Sequence, residues 1–114
     1  MAFEKFGADA TAAMPLDMSG SIQTVAMCAG SGSSVLSGVR ADVWLTGELS
    51  HHEILAANAA GTTVILTDHS NTERGYLPKM AEMIKEALVA DGHDAAALPE
   101  MTISAVDADP LVVV

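Results

Sequence analysis

Basic residues are scarce in this chain: five lysines and arginines stand against fifteen aspartates and glutamates, for a net charge of −10. That balance argues against a phosphate-backbone partner, which requires a basic face. It argues equally against an anionic membrane surface. Long hydrophobic runs are also missing. Residues 103–106 and 111–114 are the longest strongly apolar stretches, far too short to span a bilayer. The first residues lack the basic start and long apolar core of a secretory signal. There is one cysteine, Cys28, so no internal disulfide can form and a reducing, cytoplasmic location is expected. Cys28 ends an apolar stretch and reads as a buried structural thiol. Aromatic residues make up only 4%, so a core must be built from Val, Ile, Leu, Ala and Met.

What is present is enough for one domain. Half of the 114 residues are apolar, and a domain of that length buries roughly two-thirds of its unfolded surface. Residues 1–20 contain Phe3 and Phe6 among Ala, Asp, Met, Pro and Gly without periodicity, and read as an irregular lead-in. Residues 21–114 read as a single α/β domain. Strands are expected at 21–28, 42–46, 62–67 and 101–106, each apolar and largely β-branched. A further short strand is expected at 111–114. Between them lie a glycine loop and short helix (29–38), a helix over 51–60, and a long helical pattern over 71–90. In the long pattern Leu77, Met80, Ala81, Ile84, Ala87 and Leu88 form a stripe suited to a core. Pro78 should delay or distort that helix. Strand and helix alternate, which predicts a mostly parallel sheet of about four strands with helices on its faces.

The stretch 64–75, Val-Ile-Leu-Thr-Asp-His-Ser-Asn-Thr-Glu-Arg-Gly, carries the richest chemistry. A strand that delivers a polar cluster to a helix start is where open α/β sheets place ligands. His69 and Glu73 are four residues apart, which puts both on one helix face. An imidazole nitrogen and a carboxylate oxygen at that spacing can share a divalent ion. The same residues fit a capping box, with Ser70 as N-cap and Glu73 three residues on. A second such box, Ser50 with Glu53, opens the helix carrying His51 and His52. Parallel strands bring the glycine loop, Glu48, His51, His52, Asp68, His69 and Glu73 to one rim. Ala29-Gly30-Ser31-Gly32 resembles an anion-binding turn only weakly, because Val35 stands where the dinucleotide fingerprint requires glycine. A tight turn into a short helix is the simpler reading.

Four segments taken together resemble a known family. They are Cys-Ala-Gly-Ser-Gly-Ser-Ser (28–34), Ala-Asp-Val-Trp-Leu-Thr-Gly-Glu-Leu-Ser-His-His-Glu (41–53), Asp-His-Ser-Asn-Thr-Glu-Arg-Gly (68–75) and Val-Asp-Ala-Asp-Pro-Leu (106–111). In order and spacing they resemble the C-terminal half of the Nif-three-like family, also called GTP cyclohydrolase I type 2-like dinuclear-metal proteins, in its eukaryotic-type members. The resemblance implies two similar α/β halves with a two-metal centre between them. It implies that the C-terminal half contributes one His and one Glu, which fall here on His69 and Glu73. The histidine of the Thr-Gly-Glu segment, His52 here, is then a candidate acid or base lining the same cavity. The resemblance further implies divalent metal ions (zinc, manganese, iron or magnesium), a nucleotide-like small molecule as substrate, and homo-oligomers, often ring-like hexamers. A protein partner is implied as well, since the family takes its name from association with a transcriptional co-regulator. Nothing in this sequence corresponds to the N-terminal half. His51 and His52 lie in a C-terminal-type segment and are not the family's ligating pair. The expected function is therefore the C-terminal half of a metal-dependent, hydrolase-like protein with an incomplete site, or else a metal-binding interaction module without catalysis.

Overall fold

The computed structural model describes residues 10–108 and residue 110. Eight elements follow one another: β1 (Thr11–Ala13), β2 (Val25–Ser31), α1 (Ser33–Leu36), β3 (Val43–Glu48), α2 (His51–Ala59), β4 (Thr63–Leu66), α3 (His69–Arg74) and α4 (Leu77–Ala90). A 3-10 turn at Ala95–Ala97 comes last. The four strands form one sheet in the order β1-β4-β3-β2. β2, β3 and β4 are parallel, and β1 joins the outer edge of β4 antiparallel. The fold is the expected mostly parallel α/β sheet, but its fourth strand comes from the other end of the chain.

Register explains the core. Ala26, Trp44, Val64 and Ala13 are aligned across the sheet, as are Cys28, Thr46 and Leu66. Aligned residues share a face. On this face Leu36 of α1 and Ala57 of α2 close over Trp44 and Val64, with Ile54, Leu49 and half-buried Cys28 around them. The buried polar groups are satisfied. Trp44 Nε1 donates to Val39 O at 3.2 Å, and Thr62 Oγ1 donates to Ala41 O at 2.8 Å.

The strand at Thr11–Ala13 corrects the expectation of an irregular lead-in over 1–20. Thr-Ala-Ala has no strand signature of its own. It is held by the open edge of β4 and by Asn58 of α2, whose Nδ2 donates to Ala13 O at 3.1 Å and Thr62 O at 2.8 Å. A second correction concerns 101–106, which is irregular rather than a strand. With β1 on β4, that edge is closed to a further strand. Instead the segment is tied down by Arg74, which pairs with Asp107 and donates through Nη2 to Ser104 O at 2.7 Å. The expected strand at 111–114 lies outside the described residues.

The long helical pattern is two helices. Pro78 has no N–H, and its ring would collide with the carbonyl of Arg74 four residues back. α3 accordingly stops at Arg74, and α4 restarts with Pro78 in its first turn. The stripe on α4 does not face a core: the helix has no buried residue, and Met80 and Ile84 are each 45% exposed. The sheet face opposite the core is also open at β2, where Val25 and Met27 are exposed. The Cα radius of gyration is 17.9 Å, against about 13 Å for a compact chain of this length.

Candidate metal centre

The site forms where the chain leaves β4 and turns back over the C-terminal ends of β3 and β2. Asp68 makes that turn with φ 67° and ψ 155°, a backbone region that side chains strongly disfavour. It occupies the N-cap position of α3, and its side chain makes no capping hydrogen bond. The expected capping box at Ser70 is therefore corrected: Ser70 lies inside α3, one residue past its start. The box at Ser50 is present in full. Glu53 N donates to Ser50 Oγ at 3.4 Å, and Ser50 N donates to Glu53 Oε2 at 2.8 Å. Ser33 Oγ donates a second bond to the same carboxylate oxygen at 2.9 Å. Hydrogen bonds from the Ser50 side chain, from its backbone and from Ser33 hold the Glu53 carboxyl below its usual range.

Gly30 and Gly47 let α3 and its leading turn settle onto the strand ends. Gly47 lies directly under the turn: a Cβ there would stand 2.7 Å from both Asp68 O and Gly30 O. Gly32 lies as close to Thr46 and Leu36. Gly30, at φ +65°, lies under the two expected ligands. A Cβ at Gly30 would stand 2.9 Å from Glu73 Oε1 and 2.9 Å from His69 Nε2. The Gly30 backbone is fixed on both sides, its N–H donating to Thr72 Oγ1 at 2.7 Å and its carbonyl accepting from Thr46 Oγ1 at 3.1 Å. Thr72 Oγ1 in turn donates to His69 O at 2.7 Å, which closes the helix start onto the loop.

His69 Nε2 and Glu73 Oε1 face one another at 3.6 Å, both side chains about half exposed. The opposite ring nitrogen, Nδ1, lies 2.8 Å from Glu48 Oε1 at the end of β3. Two donors bound to one ion at about 2.1 Å and a tetrahedral angle stand about 3.4 Å apart. The donor types and their spacing therefore fit a divalent cation above Gly30. Two side chains are an incomplete shell, and among the described residues no group of three or more His, Cys, Asp or Glu gathers to hold an ion.

The structure thus brings His69 and Glu73 together over Gly30, with Glu48 on the opposite nitrogen of the His69 ring. His51 and His52 stand in the first turn of α2, exposed, with ring centroids 5.9 Å apart and planes at 71°. The roles of Gly30, Thr46 and Thr72 were not foreseen. Paired glycines at the end of a strand were the available signal, because they mark places where another backbone or ligand comes close. The Arg74–Asp107 pair joins two of the four recognised segments, and its partners are 33 residues apart in sequence.

Comparison with known proteins agrees with this architecture. The sequence model of the family described as Duf34/NIF3 (NGG1p interacting factor 3) matches residues 2–109. NIF3-like protein 1 of Homo sapiens is 50% identical over 93 residues, covering 82% of this chain and 23% of the human protein. Protein NIF3 homolog of Schizosaccharomyces pombe is 47% identical over 98 residues, covering 85% of this chain and 34% of that protein. NGG1-interacting factor 3 of Saccharomyces cerevisiae is 46% identical over 94 residues, covering 81% of this chain and 30% of that protein. This chain thus spans about a quarter to a third of the length of these relatives. Among solved structures, a Bacillus cereus protein related to NIF3 superposes with a TM-score of 0.69 at 20% identity, covering 97% of this chain and 30% of that one. Staphylococcus aureus protein SA1388 superposes with a TM-score of 0.68 at 21% identity, covering 97% of this chain and 35% of that one. Among the described residues, no helix is long and apolar enough to cross a membrane.

Proposed function

This chain belongs to the Duf34/NIF3 family, and from that premise we propose that it carries the C-terminal-half share of a dinuclear metal centre in a hydrolase-like protein. The observation that carries the reading is the 3.6 Å approach of His69 Nε2 to Glu73 Oε1 over a glycine whose missing side chain leaves room for an ion. His69 and Glu73 hold the metal; zinc, manganese, iron and magnesium all suit a mixed nitrogen and oxygen donor set to differing degrees. When bound, a divalent ion contributes Lewis acidity to hydrolysis of a nucleotide-like substrate. Thr72 and Thr46 hold the Gly30 backbone that forms the floor. His52, exposed on the first turn of α2, is the proposed proton donor or acceptor. The site becomes competent only when further ligands from an N-terminal half join it, so this chain alone binds metal weakly.

A second reading, a metal-binding interaction module without catalysis, is favoured by one observation: the Saccharomyces cerevisiae relative is named as an interacting factor of NGG1. Exposed Met27, Met80 and Ile84 support self-association into a homo-oligomer or cover by a protein partner. A single cysteine suits a reducing, cytoplasmic compartment.

Calorimetric titration of the chain with zinc and with manganese tests the metal reading. Weak uptake that is lost in both His69→Gln and Glu73→Gln is expected. Uptake unchanged in both variants overturns it.

A further inference from the structure

The contact on the far side of the His69 ring has a definite chemical meaning. An ionised carboxylate only accepts hydrogen bonds. With Glu48 Oε1 2.8 Å from His69 Nδ1, the ring proton of a neutral imidazole belongs on Nδ1. The lone pair then belongs on Nε2, the nitrogen that lies 3.6 Å from Glu73 Oε1 and beside Gly30. We infer that Glu48 is the positioning residue of the site, fixing His69 in the Nδ1–H tautomer and the ring plane that aims Nε2 at the hollow over Gly30. The inference rests on the metal reading for its purpose but not for its geometry. A histidine that ligates metal through one nitrogen commonly donates the other N–H to a carboxylate, and removing that carboxylate costs roughly 10–100-fold in metal affinity.

The backbone supports this role. Glu48 is the last residue of β3, and its carbonyl accepts from Gly32 N at 3.3 Å. Gly47, immediately before it, packs against the turn that precedes His69. The carboxylate and the imidazole are therefore carried by backbone segments already locked together. The Glu48 side chain is 56% exposed, and exposed ion pairs contribute little to stability. Its substitution should leave the fold intact and change the ring.

The test is long-range proton–nitrogen NMR on the 15N-labelled, metal-free chain at a pH where histidines are neutral. The four histidines are assigned by comparison with His69→Gln. The wild type should show His69 protonated on Nδ1. Glu48→Gln, which keeps an acceptor oxygen, should preserve that pattern. Glu48→Leu should move His69 to the mixture dominated by Nε2–H that free imidazoles prefer. A wild-type ring protonated on Nε2, or a Glu48→Leu spectrum with the His69 signals unmoved, overturns the inference. In a parallel zinc titration Glu48→Leu should weaken binding by about 10–100-fold. No change there, with binding still lost in His69→Gln, also overturns it. Should His69→Gln itself retain zinc, the metal reading fails, and the tautomer spectra still decide the role of Glu48.

Discussion

Gly47→Ala should be the most damaging one-carbon change near the site, although Gly47 has no unusual φ. The added Cβ would stand 2.7 Å from Asp68 O, 2.7 Å from Gly30 O and 2.9 Å from His69 Cα. All three are backbone atoms, so no rotamer change relieves the contact. Gly30 O is pinned by Thr46 Oγ1 and Gly30 N by Thr72 Oγ1, so the strand end cannot retreat without losing those bonds. Overpacking of this kind costs about 1–3 kcal/mol, and the pinned surroundings place Gly47→Ala at about 3 kcal/mol. Gly30→Ala makes the instructive contrast. Its clashes are with the ends of the half-exposed His69 and Glu73 side chains, which yield more readily than backbone at the loss of the His69–Glu48 contact. The remaining cost is the left-handed φ of +65°, about 1–2 kcal/mol for a residue with a Cβ. The two variants should therefore rank in opposite orders. Gly47→Ala loses more stability, whereas Gly30→Ala separates the ligand pair directly and loses zinc while remaining folded. Urea unfolding followed by Trp44 fluorescence measures the first effect, since Trp44 is the sole tryptophan and only 8% exposed. A Gly47→Ala variant within 0.5 kcal/mol of wild type, on the ~1 kcal/mol scale of such effects, would refute the reasoning, as would a Gly30→Ala variant less stable than Gly47→Ala.

Ser50→Ala removes a complete capping box and should cost about 1 kcal/mol in the same assay. Glu73→Gln should leave stability near wild type, because Glu73 has no part in a capping box, while zinc uptake seen by calorimetry disappears. Asp42 gives an acid-side prediction. Gln23 N–H, then the Thr24 hydroxyl and N–H, hold its carboxyl below the ordinary value of 3.8. A lowered folded value favours the ionised folded state. The stabilisation is therefore present above 3.8 and lost as pH falls through the lowered folded value. Asp42→Asn should flatten that part of the acid unfolding curve, and an unchanged slope would count against the clip between β2 and β3.

Local chemistry was legible where local chemistry decides. The β-branched runs gave β3 and β4 to within two residues of the observed bounds, and Ser50 with Glu53 marked the start of α2 correctly. The His69 and Glu73 spacing was readable because a helix imposes it. Ser70 was misread as a cap because Asp68 turns the chain at positive φ and starts α3 earlier, and no sequence rule gives that conformation to aspartate. Residues 101–106 alternate like a strand, but the β4 edge is held by Thr11–Ala13, supported by Asn58 far away in sequence, and the segment is tied to Arg74 instead. The Gly30 hollow was hidden for the same reason: it exists only when β2, β3 and α3 meet.

The break between Arg74 and Leu77 also divides the molecule thermodynamically. α4 has 14 residues and buries none of them, and an isolated helix of that length is marginal in water. It should open and close on its own while the sheet stays intact, so its amides exchange with solvent near the rate of a frayed segment and those of β3 and β4 exchange only on global unfolding. The hinge, Gly75 and Tyr76, lies two to three residues past Glu73. Whatever surface comes to clamp α4 therefore raises its protection without having to touch the metal pair, and exchange rates along 77–90 become a direct meter of that clamping.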